Sequence, residues 1–458
     1  MIENDAFKLL LINLFHLNPN DIANILCTTF NKMMVLVVTL TDKHQACPYC
    51  GFTAPKIKEY VTKEITHSAL TTQKCIIKYR ARRYKCSCCG KTYYEFNPFV
   101  FKSQKISILT VHNILKDLKD FNETFTSVAR RYHVSPTSVS TIFDKHVDIG
   151  RNPLPEIINF DEVYAFKSEK SKYVCVLLDF KKQIPVDVLP NRKKEYLLNY
   201  FQKIPLEERK KVKYACSDMY EVYRDVVHKV FPSCCMLLDY FHLSQDFHRK
   251  MNEVRIKVMK GYKDNKASDE YYLLKKFNWL LFKNPEDEDK YGRLFDVERE
   301  RKYNSHFKSY MNYYDLRKKI LEINNDLTIC YSLKLELVDF YSKSTIDNAK
   351  VNLENLIRSC IDTNIDEMIA FSNNLINWKQ EIINSFTIVG TEYKVEADKG
   401  QVVVCNKKVN NAIIENRNKI IKCIKNNANG YTNWSRFRNR VMYVLDPNAT
   451  FSLEPREK

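Results

Sequence analysis

The chain has no apolar run long enough to cross a bilayer: Met33 to Leu40 falls far short of the roughly 20 residues a membrane helix needs. A helical membrane protein is excluded on that ground. The opening Met1-Ile2-Glu3-Asn4-Asp5 carries acids where a secretory signal carries basic residues, so export is not expected. Internal repeats and long low-complexity tracts are also missing. Glycine is scarce, at 8 of 458 residues, and with heavy use of Asn, Lys and Ile this suits an AT-rich genome without pointing to a function. The 15 cysteines form an odd count without an export signal, which disfavours a disulfide scaffold and suits a reducing cytoplasm.

Apolar residues are plentiful. At 45% hydrophobic and with 28 tyrosines, the chain can bury real cores, which excludes wholesale disorder. Its 458 residues exceed one ordinary domain and suggest about three. Lys and Arg number 73 against 55 acids, a net charge of +18. Such a surplus points to a polyanion, because each neutralised phosphate releases a counterion. Nucleic acid is therefore the expected partner, with no membrane involved.

The texture changes along the chain. Residues 1–100 hold paired cysteines, and 101–150 read as short helices. Strands and helices alternate over 156–242, beyond the two prolines of Arg151-Asn152-Pro153-Leu154-Pro155, a linker candidate. A long, charged, helical stretch covers 243–386, and a basic helical segment covers 405–445.

Cys47-Pro48-Tyr49-Cys50-Gly51 and Cys86-Ser87-Cys88-Cys89-Gly90 are two cysteine knuckles, each followed by glycine. Such a turn aims two thiolates at one tetrahedral ion, and the glycine permits the tight backbone. Between them, Ile57 to Thr66 and Cys75 to Tyr84 read as a strand pair. This is the layout of a zinc ribbon, with Cys47, Cys50, Cys86 and Cys89 as Zn²⁺ ligands and Cys88 surplus.

Asn122 to Arg131 has helical spacing of Phe125, Val128 and Ala129 and ends in Arg130-Arg131. Ser135 followed by Pro136 marks a second helix start. Its apolar face is Val139, Ile142 and Phe143, leaving Thr137, Ser138, Thr141 and Lys145 outward. Two short helices around a tight turn match a DNA-reading helix-turn-helix, the second helix entering the major groove.

Ile157 to Phe160 form an apolar strand ending at Asp161 and Glu162. Tyr173 to Asp179 and Ile184 to Leu189 are further strands, followed by a helix over Arg192 to Gln202. Val212 to Cys216 ends at Asp218, Glu221 to Val230 is helical, and Cys234 to Leu238 ends at Asp239. The order strand, strand, strand, helix, strand, helix, strand is that of an RNase H-like sheet. In that arrangement the carboxylates ending the first and fourth strands lie side by side. Carboxylate pairs hold Mg²⁺ or Mn²⁺, and two such ions about 3.5 to 4 Å apart can act on both oxygens of a phosphodiester exchange. A later helix offers a third acid. In it Ile413, Ile420 and Ile424 form an apolar stripe, opposite Glu415, Lys419 and Lys422.

With its knuckles, helix-turn-helix, Asp161-Glu162 pair and Asp218, the chain resembles bacterial insertion-sequence DDE transposases of the ISL-three type. Asp239 to His242, the closing Asn411 to Glu415 helix, and the tail from Gly430 through Trp434 to Arg440 carry the likeness further. It departs in Asn410-Asn411-Ala412 for the family's common Thr-Asn-Gly, in Asn416 for Gly, and in Tyr240 for Arg. The resemblance implies an α/β (α+β) multidomain fold: zinc ribbon, helix-turn-helix, and an RNase H-like mixed-sheet core interrupted by an all-helical insertion. It implies Asp161, Asp218 and Glu415 as the catalytic, Mg²⁺-binding triad, with Asp239 and His242 in support. Double-stranded DNA would be the partner, as terminal inverted repeats and as target, held by a homodimer or larger assembly in the cytoplasm and at the nucleoid. Two rivals are a catalytically silent DNA-binding relative and an RNase H-like nuclease or resolvase. Thr387 to Val404 reads as an additional hairpin without an assigned role.

Overall fold

The computed structural model describes residues 2–456, apart from 44–45, 71, 103, 167–170 and 396–401. The chain is mixed α/β. Helix α1 (Ile2–Leu14) lies against a five-stranded sheet of β1 (Ile22–Phe30), β2 (Met33–Leu40), β3 (Lys56–Thr66), β4 (Cys75–Lys85) and β5 (Thr92–Tyr94). The order is β1-β2-β4-β3, with β5 also pairing β4. Alternation along β4 turns Cys75, Ile77, Tyr79 and Ala81 inward, against Leu11 and Ile12 of α1 and Phe15 just after it. The expected hairpin is β3–β4. The N-terminal unit is larger than a ribbon, since α1 and the β1–β2 pair give it a core of its own.

Three helices follow: α2 (Ile108–Asp117), α3 (Phe125–Arg131) and α4 (Pro136–His146). Thr124 and Ser127 close a capping box on α3, Ser135 caps α4 ahead of Pro136, and His133 makes the turn with φ 53°. The proline-flanked segment after them is pinned rather than loose. Arg151 holds Glu208 through two bonds at 2.6 and 2.8 Å, and Asn152 bonds the Pro185 carbonyl at 2.8 Å.

The second five-stranded sheet contains β6 (Ile157–Val163), β7 (Val174–Asp179), β8 (Pro185–Leu189), β9 (Tyr214–Ser217) and β10 (Cys235–Leu238). Its order is β10-β9-β6-β7-β8; β6, β7 and β8 pair antiparallel, and β6, β9 and β10 parallel. Helices α5 (Lys194–Gln202), α6 (Leu206–Arg209) and α7 (Glu221–Val230) connect the strands, and α5 and α7 cover one face.

From α8 (Tyr240–Lys260) the chain enters a separate, mostly helical core. It comprises α9 (Asp269–Lys276), α10 (Tyr313–Glu322), α11 (Asn325–Lys343), α12 (Ala349–Asp362), α13 (Asp366–Asn377) and α14 (Lys379–Asn384). The all-helical expectation needs correction here. Two small hairpins, β11 (Glu288–Asp289) with β12 (Gly292–Arg293) and β13 (Lys302–Asn304) with β14 (Ser309–Met311), sit between α9 and α10. Gly292 at φ 97° and Lys308 at φ 49° supply left-handed turns that a helix would not allow.

The additional hairpin is β15 (Ile388–Val395) with β16 (Val402–Lys408), and its second strand runs past Val404. Then α15 (Ala412–Asn427) and α16 (Trp434–Leu445) return to the sheet's other face. Helix α16 also completes the helix-turn-helix core: Tyr443 packs with Val128, Val139 and Phe143, and fully buried Arg440 donates to the carbonyls of Asp120 and Glu123. Residues beyond Leu445 belong with that unit as well, since the Ser452 amide bonds the His146 carbonyl at 3.0 Å.

Candidate active site and metal centres

Local turns build the sulfur cluster. The amides of Gly51 and Gly90 reach back to the carbonyls of Cys47 and Cys86 at 2.8 and 3.0 Å, with φ of 75° and 70° at the two glycines. Antiparallel pairing of β3 with β4 then brings the knuckles together. Cys50 Sγ lies 3.5 Å from Cys86 Sγ, and Cys47 Sγ 3.7 Å from Cys89 Sγ. A tetrahedron of 2.3 Å zinc–sulfur bonds sets sulfurs about 3.8 Å apart, so the four cysteines fit that ion. Backbone N–H groups of Cys89 and Cys88 pull the Cys86 thiol down, while the crowded neighbouring sulfurs hold Cys50 and Cys89 up, as expected of four thiols sharing one site. Cys88 is exposed and outside the cluster.

On the helix-turn-helix, Arg130, Thr137 and Thr141 are exposed, while Ser138 and Lys145 are half-buried. Ser138 Oγ lies 2.8 Å from Ser135 Oγ at the cap. Arg131 is differently placed: Asp117 and Glu123 both grip its guanidinium, so it braces α3 against α2.

The carboxylates line up by register. Asn159 pairs with Cys216 across β6–β9 and Leu238 with Ser217 across β9–β10. Extending that register puts Asp161, Asp218 and Asp239 in one row across three adjacent parallel strands. Asp161 is inside β6 rather than at its end, as the sequence had suggested. The strand continues because β7 supplies pairing as far as Val163 with Val174, whereas β9 stops at Ser217. Asp161 and Asp239 are 8% and 3% exposed. Burial, before any neighbour, pushes Asp161 up to about 7 and Asp218 to about 7, and raises Asp239 as well. Mutual repulsion adds to this: Asp218 acts on Asp161, Glu162 and Asp239 act on Asp218, and Glu415 acts on Asp239.

Helix α15 delivers Glu415. The helix is anchored at its start by Asn411, whose amide N–H reaches Asp239 Oδ1 at 3.3 Å and whose Oδ1 accepts from Asn159 at 2.6 Å. That anchor rotates the helix from the stripe expected. Ile414, Asn418, Ile421 and Ile424 are buried, Ile413 and Ile420 only partly, and Lys419 and Lys422 point to solvent. Asp239, His242 and Glu415 then offer ligand atoms within 4.8 Å of one another. The site thus joins Asp239 and His242 closely to Glu415, where the sequence had given them a supporting place.

Sequence reasoning missed several residues here. Buried Asn418 donates to Asp161 Oδ2 at 2.7 Å, and Asn159 and Asn411 tie α15 to the sheet. On the far side of β6, Arg192 pairs with Glu162 between the rings of Tyr173 and Tyr220, at 4.5 and 4.7 Å. An asparagine inside an otherwise apolar helix stripe was the available signal. Buried Asp218 Oδ1, Asp239 Oδ2 and His242 Nε2 have no hydrogen-bond partner among the described residues. Carboxylate oxygens crowded, buried and orphaned fit a divalent cation, and hard oxygen donors favour Mg²⁺ or Mn²⁺. A cavity of about 790 Å³ lies between the two small hairpins of the helical unit and is lined by none of these carboxylates.

The chain belongs to the ISL-three-type transposases, a family of DNA-processing enzymes, whose model, described as transposase, matches residues 158–397. Asp161, Asp218, Asp239 and His242 fall inside that stretch, and Glu415 lies beyond it. The chain is also similar to the transposase for insertion sequence element IS1001 of Bordetella parapertussis. The two are 19% identical over 411 residues, covering 89% of this chain and 91% of that relative. Among the described residues no helix is long and apolar enough to cross a membrane.

Proposed function

We propose that this transposase binds the terminal inverted repeats of its own element, cuts the DNA there and joins the freed ends to target DNA. The observation that carries the reading is the row of Asp161, Asp218 and Asp239 across the second five-stranded sheet, with Glu415 and His242 beside Asp239 at its end. Asp161, Asp218 and Glu415 would hold divalent cations, Mg²⁺ or Mn²⁺, with Asp239 completing the acidic wall. Such ions, when bound, polarise the phosphodiester and ease deprotonation of the attacking hydroxyl or water.

The protein's own part is positioning. Asn418 fixes the rotamer of Asp161, and Asn411 holds the start of α15 so that Glu415 reaches Asp239. His242 lies beside Asp239, Nε2 3.9 Å from Oδ2, and within reach of Glu415. The zinc module and the helix-turn-helix select the ends, with Arg130, Thr137, Ser138, Thr141 and Lys145 at the DNA and Lys419 and Lys422 on phosphates near the site. Two ends must be brought together, so a dimer or larger assembly forms on DNA.

The test uses the coding locus with its flanks as substrate, in Mg²⁺ or Mn²⁺, with wild type and Asp161→Asn, and maps products at nucleotide resolution. Cleavage at the inverted repeats by wild type alone is the expected result. Tight end-binding without cleavage in either metal overturns it in favour of a silent DNA-binding protein.

A further inference from the structure

The strand order of the N-terminal sheet leaves β1 at an edge, and among the described residues no strand pairs with its outer side. Soluble proteins blunt such edges with charge, proline or irregularity, because unpaired N–H and C=O groups invite a further strand. β1 has little of this. Its nine residues, Ile22-Ala23-Asn24-Ile25-Leu26-Cys27-Thr28-Thr29-Phe30, contain no charge, no proline and no glycine. Its register shift falls near the start, between Ile22 and Asn24, and pairing with β2 is regular from there to the turn. Leu26, Phe30 and, on the neighbouring strand, Val37 are exposed, and Leu26 stands directly opposite Val37.

Helix α1 repeats the pattern on the other face of the sheet. Its Leu11 and Ile12 enter the core, while Phe7, Leu10 and Leu14 form a second apolar stripe at helical spacing, between 48% and 60% exposed. A helix apolar on both sides is normally buried on both. Among the strands, α1 packs chiefly on β1, so the stripe borders the open edge.

One more strand and one more helix would complete both surfaces, and a second copy supplies the two at once. A strand pairs antiparallel with its own copy about a two-fold axis normal to the sheet. Under that axis the two α1 helices lie on one side of the joined sheet and the two Leu26 side chains on the other. Like surface then meets like surface, which on a chain of net charge +18 suits a strand without charge. The α1 stripe, β1 and the flank of β2 bring about 20 residues a side, the size of a standard stable interface.

We propose that two copies of this chain join through β1, edge to edge and antiparallel, with their α1 stripes packed together across the axis. The joined sheet puts two sets of end-reading helices on one frame. That use rests on the end-binding reading above; the contact itself does not.

The experiment is sedimentation of the full-length chain without DNA across micromolar concentrations, with hydrogen exchange read on the same samples. Wild type should sediment as a dimer, at twice the 54.3 kDa of one chain, and exchange across residues 22–30 should slow several-fold as concentration rises. Leu26→Lys and Leu10→Glu change exposed positions on two different elements. Each should raise the dimer Kd at least tenfold and abolish the concentration dependence of exchange. Val351→Glu, at an exposed apolar position of α12, should leave both unchanged. Should Leu26→Lys lose its thermal transition, Thr28→Lys on the same exposed edge replaces it, with the same loss of dimer expected. Wild type that stays monomeric overturns the proposal, as does a dimer that survives both variants or one that Val351→Glu dissolves equally. A dimer lost in both variants, from a wild type that binds ends but cuts nothing, supports the contact and overturns only the cleavage reading.

Discussion

Asn418, one turn beyond Glu415 on α15, donates through Nδ2 to Asp161 Oδ2 at 2.7 Å, joining the next-to-last helix to the first strand of the acidic sheet. The bond fixes the orientation of a buried carboxylate. Asn418→Leu should therefore weaken Mn²⁺ binding and lower the cleavage rate by about 10- to 100-fold, the usual range for a partner that orients a ligand. Calorimetric Mn²⁺ titration checks the first and single-turnover cleavage the second. Unchanged affinity for metal would remove Asn418 from that role.

Single replacements Asp161→Asn, Asp218→Asn, Asp239→Asn and Glu415→Gln should each stop strand cleavage while end binding survives. Each should also stabilise the metal-free protein, by about 1 kcal/mol, because a crowded negative charge is removed. Thermal unfolding without divalent ions reads this directly. Asp239→Asn is the informative member: retention of full activity would restore Asp239 to a purely supporting place.

The same crowding fixes a pH dependence. Asp161 and Asp218 stand at about 7 when folded, far above the ordinary carboxylate range near 4. Between these limits the folded state holds protons that the unfolded chain has released. The stability of metal-free protein should therefore fall as pH rises from about 4 to about 7, and flatten above. Divalent ions should reverse the trend by displacing those protons, so their apparent affinity climbs over the same window. A denaturant series in wild type and in the Asp161→Asn, Asp218→Asn double variant isolates the contribution. Equal slopes in both proteins would contradict it.

Arg130 and Arg131 are neighbours with opposite expectations. Arg131→Ala should cost up to about 1 kcal/mol of stability, since it breaks both ion pairs that brace α3 against α2 while Tyr132 and Ser127 still bond Asp117 and Glu123. Arg130→Ala should leave the melting temperature alone, weaken end binding, and reduce the salt slope by about one. Salt-dependent binding isotherms and calorimetry on both variants separate the two effects.

Removing zinc with a strong chelator should release one ion per chain and unfold the knuckle end of the N-terminal sheet. The core formed by α1 with β1, β2 and β4 should persist, because it packs without the cysteines at 47, 50, 86 and 89. Hydrogen exchange should rise at residues 46–55 and 84–95 and stay low along β2. Cys47→Ser should mimic the chelator and Cys88→Ser should change nothing.

Features legible in the sequence were those written in a few consecutive residues. The knuckles, with glycine after each, and the Ser135-Pro136 start of α4 need no distant partner to be read. The strand order of the acidic sheet was also readable, because each strand is a short apolar run bounded by turns. Residues whose meaning depends on distant pairing were not. Asp161 looked like a strand end until β7 extended β6, and the buried face of α15 shifted once Asn411 was held by Asn159 and Asp239. Arg440 reads as one more surface cation in a basic tail, yet it is among the most deeply buried side chains.

That tail sets the order in which the chain becomes able to act. A nascent polypeptide can complete neither the core of α2 to α4 nor its acidic pocket until α15 and α16 have left the ribosome, because Tyr443, Arg440 and Glu415 all arrive late. A product ended early, by a nonsense codon or a frameshift, would therefore lose both the closed core of α2 to α4 and the acidic pocket.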